Sequence, residues 1–124
     1  MSPKEVLQCW VDCFNAADIE GLMAFYAEDA VNHQVVTEPL RGRDAIRQLF
    51  ATEFGRAKMT CIVENLFEVD DWAIMEWRDP NGLRGCGFFQ IARDRIVFQR
   101  GYFDQLSFFR LQGLPVPERY LQGE

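Results

Sequence analysis

Midway along this chain the spacing of apolar residues changes from the period of a helix to that of a strand, and that change fixes the fold class. In the first half Leu7, Trp10, Val11 and Phe14 recur at helical spacing and form one apolar stripe. Ser2-Pro3-Lys4-Glu5 before it reads as a capping box with Pro at the first helical position. Asn15-Ala16-Ala17 closes that helix, and Asp18 caps a second, short one carrying Leu22, Met23, Phe25 and Tyr26. A turn at Glu28-Asp29 leads into an extended stretch from Ala30 to Val36. After Pro39 and Gly42 a third helix runs from about Asp44 to Phe54, with Ile46, Leu49, Phe50 and Phe54 on one side.

From Lys58 the period becomes two. Met59, Cys61, Val63, Phe67 and Val69 are apolar at alternate positions, and Asn65 interrupts that face. Asp70-Asp71 is a turn, Trp72 to Arg78 the next strand, and Asp79-Pro80-Asn81-Gly82 a strong turn signal. Leu83 to Ala92 and Arg95 to Asp104 are two further strands joined around Arg93-Asp94. Leu106, Phe108, Phe109 and Leu111 make a short helical turn, then Gly113 and two prolines. The expectation is one domain over residues 1–124, with an ordered core of about 3–112 and a C-terminal tail from 113.

Helices segregated from a meander of strands mean α+β. On the strand from Trp72 to Arg78 both faces are apolar, Trp72 and Ile74 opposing Ala73, Met75 and Trp77. A sheet with one wet face would alternate more cleanly. Helices are expected to cover one face and a second subunit part of the other, which predicts a homodimer.

Composition narrows the function. Aromatic residues make up 14%, including eleven Phe and three Trp, more flat apolar surface than a thin two-layer domain needs. An aromatic pocket or a buried subunit interface would use the excess. The formal charge of −6, with thirteen scattered Lys and Arg, argues against nucleic acid, whose phosphates require basic clusters. Neither a secretory signal pattern nor an apolar run of membrane-spanning length is read, so the expectation is a cytosolic chain without membrane contact. Cys9 and Cys13 stand one helical turn apart, but a closed zinc site needs more ligands and His33 is the only His. Cys9, Cys13, Cys61 and Cys86 are read as reduced thiols, with no metal and no cofactor expected.

Phe25-Tyr26-Ala27-Glu28-Asp29-Ala30-Val31-Asn32-His33, followed by Gly42-Arg43-Asp44-Ala45-Ile46 and ending in Ile96 to Asp104, resembles the pattern of SnoaL-like proteins in the nuclear transport factor 2-like superfamily. The resemblance runs from Trp10 to about Leu111. It implies a cone-shaped, curved antiparallel sheet packed on three N-terminal helices, one pocket inside the cone, and dimerisation through the outer face. The superfamily includes polyketide cyclases, ketosteroid isomerases, dehydratases, limonene epoxide hydrolase and binding-only proteins, so the site must decide the function.

Asp104 ends a strand whose same-face neighbours are Tyr102, Arg100 and Phe98. If that face is inward, desolvation would raise its pKa and make it a usable base, as the matching Asp is in the epoxide hydrolases. Otherwise it caps the turn at Ser107 or pairs with Arg100. Asn32 and Gln34 match water-holding positions of the epoxide hydrolase and share one face, with His33 on the other; one residue of slip would reverse this. His33, the only imidazole, is either a proton carrier or a satisfied structural residue. The resemblance places Trp77 where the epoxide hydrolase has a bridging Arg, and Asp79 where it has its acid, next to Pro80 in a turn. That departure argues against epoxide hydrolysis by the family's mechanism.

Asn65 is a candidate donor to a ligand carbonyl, or a buried amide bonded to backbone. Trp10, Phe14, Tyr26, Trp77, Phe88 and Tyr102 are candidate pocket walls, with plain core packing as the alternative for each. Gly85-Cys86-Gly87 lies within a strand and lacks the partners of a phosphate loop. Two readings remain. One is a cofactor-free acid–base enzyme acting on a small apolar carbonyl- or hydroxyl-bearing molecule. In it Asp104 or His33 moves a proton and Asn32, Gln34 or Asn65 steadies an oxyanion. The other is a non-catalytic binding or scaffold protein of the same fold.

Overall fold

In the computed structural model, which describes residues 1–121, helices α1 (Pro3–Asn15) and α2 (Ile19–Met23) lead into strand β1 (Tyr26–Gln34). A two-residue strand β2 (Leu40–Arg41) and helix α3 (Arg43–Arg56) follow. The meander is β3 (Ile62–Val69), β4 (Trp72–Arg78), β5 (Arg84–Ala92) and β6 (Arg95–Phe103), and helix α4 (Gln105–Leu111) closes the sequence of major elements. The last three residues of the expected C-terminal tail lie outside the described residues. Within that tail Leu114 and Val116 pack against Leu83, Phe108 and Phe109.

The expected α+β architecture is present as one curved, unclosed sheet in the order β2-β1-β6-β5-β4-β3, with the long helices on one face. It is antiparallel except between β1 and β6, which run parallel. A hairpin forces its strands to oppose; β1 and β6 are joined through everything between them, so no turn dictates their direction.

The capping box forms as its residues require: Ser2 Oγ accepts from the Glu5 N–H while the Ser2 N–H donates to Glu5. Such a cap is worth about 1 kcal/mol. Three expectations fail: Glu28-Asp29 lies inside β1 rather than in a turn, because the chain is already extended from Tyr26, and two boundaries move. Phe25 and Tyr26 leave the helix, because α2 stops at Met23 and the Phe25 carbonyl accepts from Ile96 in β6. The strand expected from Lys58 begins only at Ile62. Before it, Asn15 at the end of α1 clamps Cys61, accepting from its N–H at 2.7 Å and donating to its carbonyl at 3.0 Å.

Two single-residue slips decide which side chains face inward. The β3–β4 ladder pairs Val63 with Trp77 but Asn65 with Glu76, so Glu64 is extra. The β5–β6 ladder pairs Ile91 with Ile96 but Gln90 with Phe98, so Val97 is extra. Each extra residue moves everything beyond it to the opposite face. Inside, Val6, Leu7 and Trp10 of α1 and Ile46 and Phe50 of α3 pack on Ala73, Met75, Phe89, Ile91 and Ile96 of the sheet. Among the described residues no helix is long and apolar enough to cross a membrane.

Candidate functional site

A cavity of about 230 Å³ lies between the inner face of the sheet and helices α1, α3 and α4. Aromatic rings form its walls. Trp10 stacks on Phe14 at 5.2 Å between centroids and meets Phe89 edge-on at 5.3 Å. Phe50 and Trp77 line it from α3 and β4, and Phe108 from α4. Where α3 approaches α4, Arg56 pairs with Glu53 and lies over the rings of Phe108 and Phe109, tying the two helices together.

Part of the floor is bare backbone. Gly87 pairs with Gly101 across β5 and β6, and both line the cavity. A Cβ on Gly101 would enter the Gln34 side-chain amide. Gly85 is held still more closely: a Cβ there would fall 2.4 Å from the Trp77 ring and 2.6 Å from the Tyr102 carbonyl oxygen. These glycines let Gln34 and Trp77 lie flat on the sheet, and so leave space above it.

Three neutral amides of the sheet bring polarity into this apolar space. Asn32 and Gln34 line it from β1, and Gln99 from β6 beside Asn32 in the ladder. Gln34 Nε2 donates to Asn32 Oδ1 at 2.8 Å. Asn32 is 1% exposed, and its Nδ2 has no hydrogen-bond partner among the described residues. Behind the wall Trp10 Nε1–H donates to Tyr26 Oη at 3.1 Å, and the Tyr26 hydroxyl donates to Gln99 Oε1 at 2.5 Å. Burial pushes the Tyr26 phenol well above its ordinary pKa, so it remains a donor. Burial likewise pushes the cavity-lining Cys61 thiol up to about 12.

The sequence candidates divide by face. Asn32, Gln34, Trp10, Phe14 and Trp77 line the cavity; Tyr102 touches it but is 41% exposed on the outer side. Tyr26 is fully buried behind the wall rather than on it. Four others are outside it. His33 points outward beside Arg100, its Nδ1 accepting from Arg100 Nε at 3.2 Å. Phe88 lies in a shallow outer groove with Trp72, Phe98, Arg100 and Tyr102. Asn65 is exposed, donating to Glu76 at 2.7 Å, because the extra residue Glu64 turns it outward.

Asp104 is the main correction. It is exposed at the N-cap position of α4 and accepts from the Ser107 hydroxyl. That hydrogen bond holds its carboxyl below the usual range, opposite to the shift a buried base needs. Counting by twos from the buried Ile96 would point Asp104 inward; the slip at Val97 sends Gln99, Gly101 and Phe103 there instead. Gln99 is therefore the polar sheet residue of the cavity that sequence reasoning missed, and Phe50 and Phe89 are wall residues it did not single out. The signal for Gln99 was slight, one polar residue opposite the Phe98, Arg100 and Tyr102 face.

Asp79 also reaches the cavity wall. It is 5% exposed, and its Oδ1 accepts from the backbone N–H groups of Asn81 and Leu83, both at 2.9 Å. No cluster of three or more His, Cys, Asp or Glu able to hold a metal occurs among the described residues.

Solved structures share this fold at low identity. An LEH-like epoxide hydrolase from M. tuberculosis superposes with a TM-score of 0.77 at 19% identity, covering 89% of this chain and 88% of the other. A hypothetical protein from Catenulispora acidiphila with a ketosteroid isomerase-like fold, in complex with trimethylamine, gives 0.78 at 14%, covering 94% and 97%. An NTF2-like protein of unknown function from Cytophaga hutchinsonii gives 0.75 at 12%, covering 88% and 96%. No curated protein matches the sequence significantly. The SnoaL-like domain pattern matches residues 7–99, three-quarters of the length, and the chain belongs to the SnoaL-like domain family.

Proposed function

We propose that this protein binds a small, largely apolar molecule in the cavity and holds an oxygen of that molecule at Asn32. One observation carries the reading: Asn32 Nδ2 is buried in an apolar space with no partner among the described residues. A buried N–H left unpaired costs about 1–3 kcal/mol, and a ligand oxygen would remove that cost. Aromatic walls supply the affinity and the amide supplies the orientation. The positions of Asp104 and His33 weigh against proton transfer by either.

Native mass spectrometry of the purified protein, followed by titration with oxygenated bicyclic compounds, tests this. A bound oxygenated compound is expected, with affinity falling about tenfold in Asn32→Leu, as loss of one buried hydrogen bond predicts. An unchanged affinity in that variant, or no binding across the panel, would overturn it. The same spectrum reads the assembly. A dimer is expected through the outer sheet face, where Phe67 and Val69 stand 56% and 54% exposed. A monomer mass would remove that part of the reading.

Acid–base turnover is the second reading, favoured by Asp79, the one charged side chain that is buried among the described residues. Its free carboxylate oxygen would take the proton. Exchange of ligand α-hydrogens in heavy water, lost in Asp79→Asn, would establish it; no exchange in wild type would exclude it.

A further inference from the structure

We infer that Gln99 is a second ligand donor beside Asn32, and that the pair selects a neutral carbonyl compound over the corresponding alcohol. The inference deepens the binding reading above and rests on it. The argument is one of donor direction. An indole N–H can only donate, so Tyr26 must accept from Trp10. The phenol carries a single proton, and its other hydrogen-bond partner is Gln99 Oε1. Turning the Gln99 amide over would leave the buried Tyr26 O–H with no acceptor, a costly arrangement in an apolar core. Gln99 is therefore locked with its oxygen toward Tyr26 and its –NH₂ away from it. That nitrogen has no hydrogen-bond partner among the described residues, and Gln99 lines the cavity.

Asn32 and Gln99 are ladder partners on β1 and β6. Both line the cavity from the inner face, so their side chains stand about 5 Å apart. Each presents an N–H, and each amide oxygen already accepts one hydrogen bond, Asn32 Oδ1 from Gln34 and Gln99 Oε1 from Tyr26. A carbonyl oxygen, with two lone pairs and no proton, satisfies both donors. An alcohol oxygen that accepts from both donors has to aim its O–H away from them, at Gln34 Oε1 or at an amide oxygen already in use. No Lys or Arg forms a hydrogen bond with either amide, so an anion gains little from the pair. Tyr26, fully buried and off the cavity wall, is then a positioning residue acting through Gln99.

The test uses one skeleton with four head groups: 1-indanone, 1-indanol, indane and indane-1-carboxylate. With wild-type protein the ketone is expected to bind about tenfold tighter than the alcohol, the penalty for one poorly aimed buried hydroxyl. The bound ketone's carbonyl stretch should move to lower frequency. Gln99→Met leaves the Asn32 donor in place, so it should weaken the ketone about fivefold and reverse about half of that frequency shift, while indane affinity holds. Tyr26→Phe frees the Gln99 amide to turn, so the ketone-to-alcohol ratio should fall toward one while indane affinity holds. Equal binding of ketone and alcohol by wild type would overturn the inference while leaving the binding reading intact. So would tightest binding of the carboxylate, or a carbonyl frequency indifferent to Gln99→Met. Failure of every compound, indane included, would overturn both.

Discussion

The two faces of this one sheet are built from different chemistry. The outer face carries groups that titrate or attract attention by type: His33 on Arg100, Glu64 with Arg78 and Arg84, and the ring cluster around Phe98. The inner face carries glycines, aromatic rings and neutral amides, two of them with an –NH₂ that has no partner among the described residues. A charge on the outer face keeps its water. On the inner face a charge would lose that water, whereas an amide can be buried at modest cost and still hold a direction. Reactivity judged by residue type therefore points to the side of the strands away from the cavity.

The largest test of this contrast is chemical. With the Cys61 thiol held up to about 12, its native-state alkylation by iodoacetamide at pH 8.5 should be at least ~100-fold slower than in urea, because only the thiolate reacts. The sign for stability follows from a raised folded-state pKa. The contribution is complete below the unfolded thiol value of about 8.5 and is lost as pH rises toward the folded value. Equal labelling rates in the two states would mean that the inner face is open to water.

Next in size is packing. Gly85→Ala should cost about 2 kcal/mol, since the new methyl meets the Trp77 ring and a backbone carbonyl that cannot both move aside. On the outer face Arg84→Ala removes an exposed ion pair with Glu64 and should cost under about 1 kcal/mol. Urea denaturation measures both, and a reversal of their order would break the comparison.

The smallest effects belong to the conspicuous residues. Asp104→Asn and His33→Gln should leave ligand affinity within about twofold of wild type, as expected of side chains away from the site. With its folded-state pKa lowered, the Asp104 carboxylate supports α4 above its ordinary range and loses that role as pH falls through the folded value. A tenfold loss of affinity in either variant would bring the outer face back into the function.

The helices and the strand order along the chain were legible because a capping box and a period of two are local signals: Trp72–Arg78 forms as spaced. The faces were only partly legible. Asn32 and Gln34 lie on an uninterrupted stretch of β1 and were placed together correctly, with His33 opposite. Asn65 and Asp104 each lie beyond an extra residue, Glu64 and Val97, that no counting of alternation registers. The parallel pairing that brings Gln99 beside Asn32 joins residues far apart in the chain, and no turn between them announces it.

The glycine floor has a consequence for how such a pocket changes over generations. Its volume is held partly by atoms that are absent, so a single added methyl can redraw it without touching the scaffold. The positions differ in how freely this can happen. At Gly101 the obstacle is the end of a long, partly exposed amide that can swing away, whereas at Gly85 it is a ring and a carbonyl fixed in place. Gly101 thus offers a lineage a short mutational step toward a smaller cavity, whereas at Gly85 the same step meets a fixed ring and carbonyl.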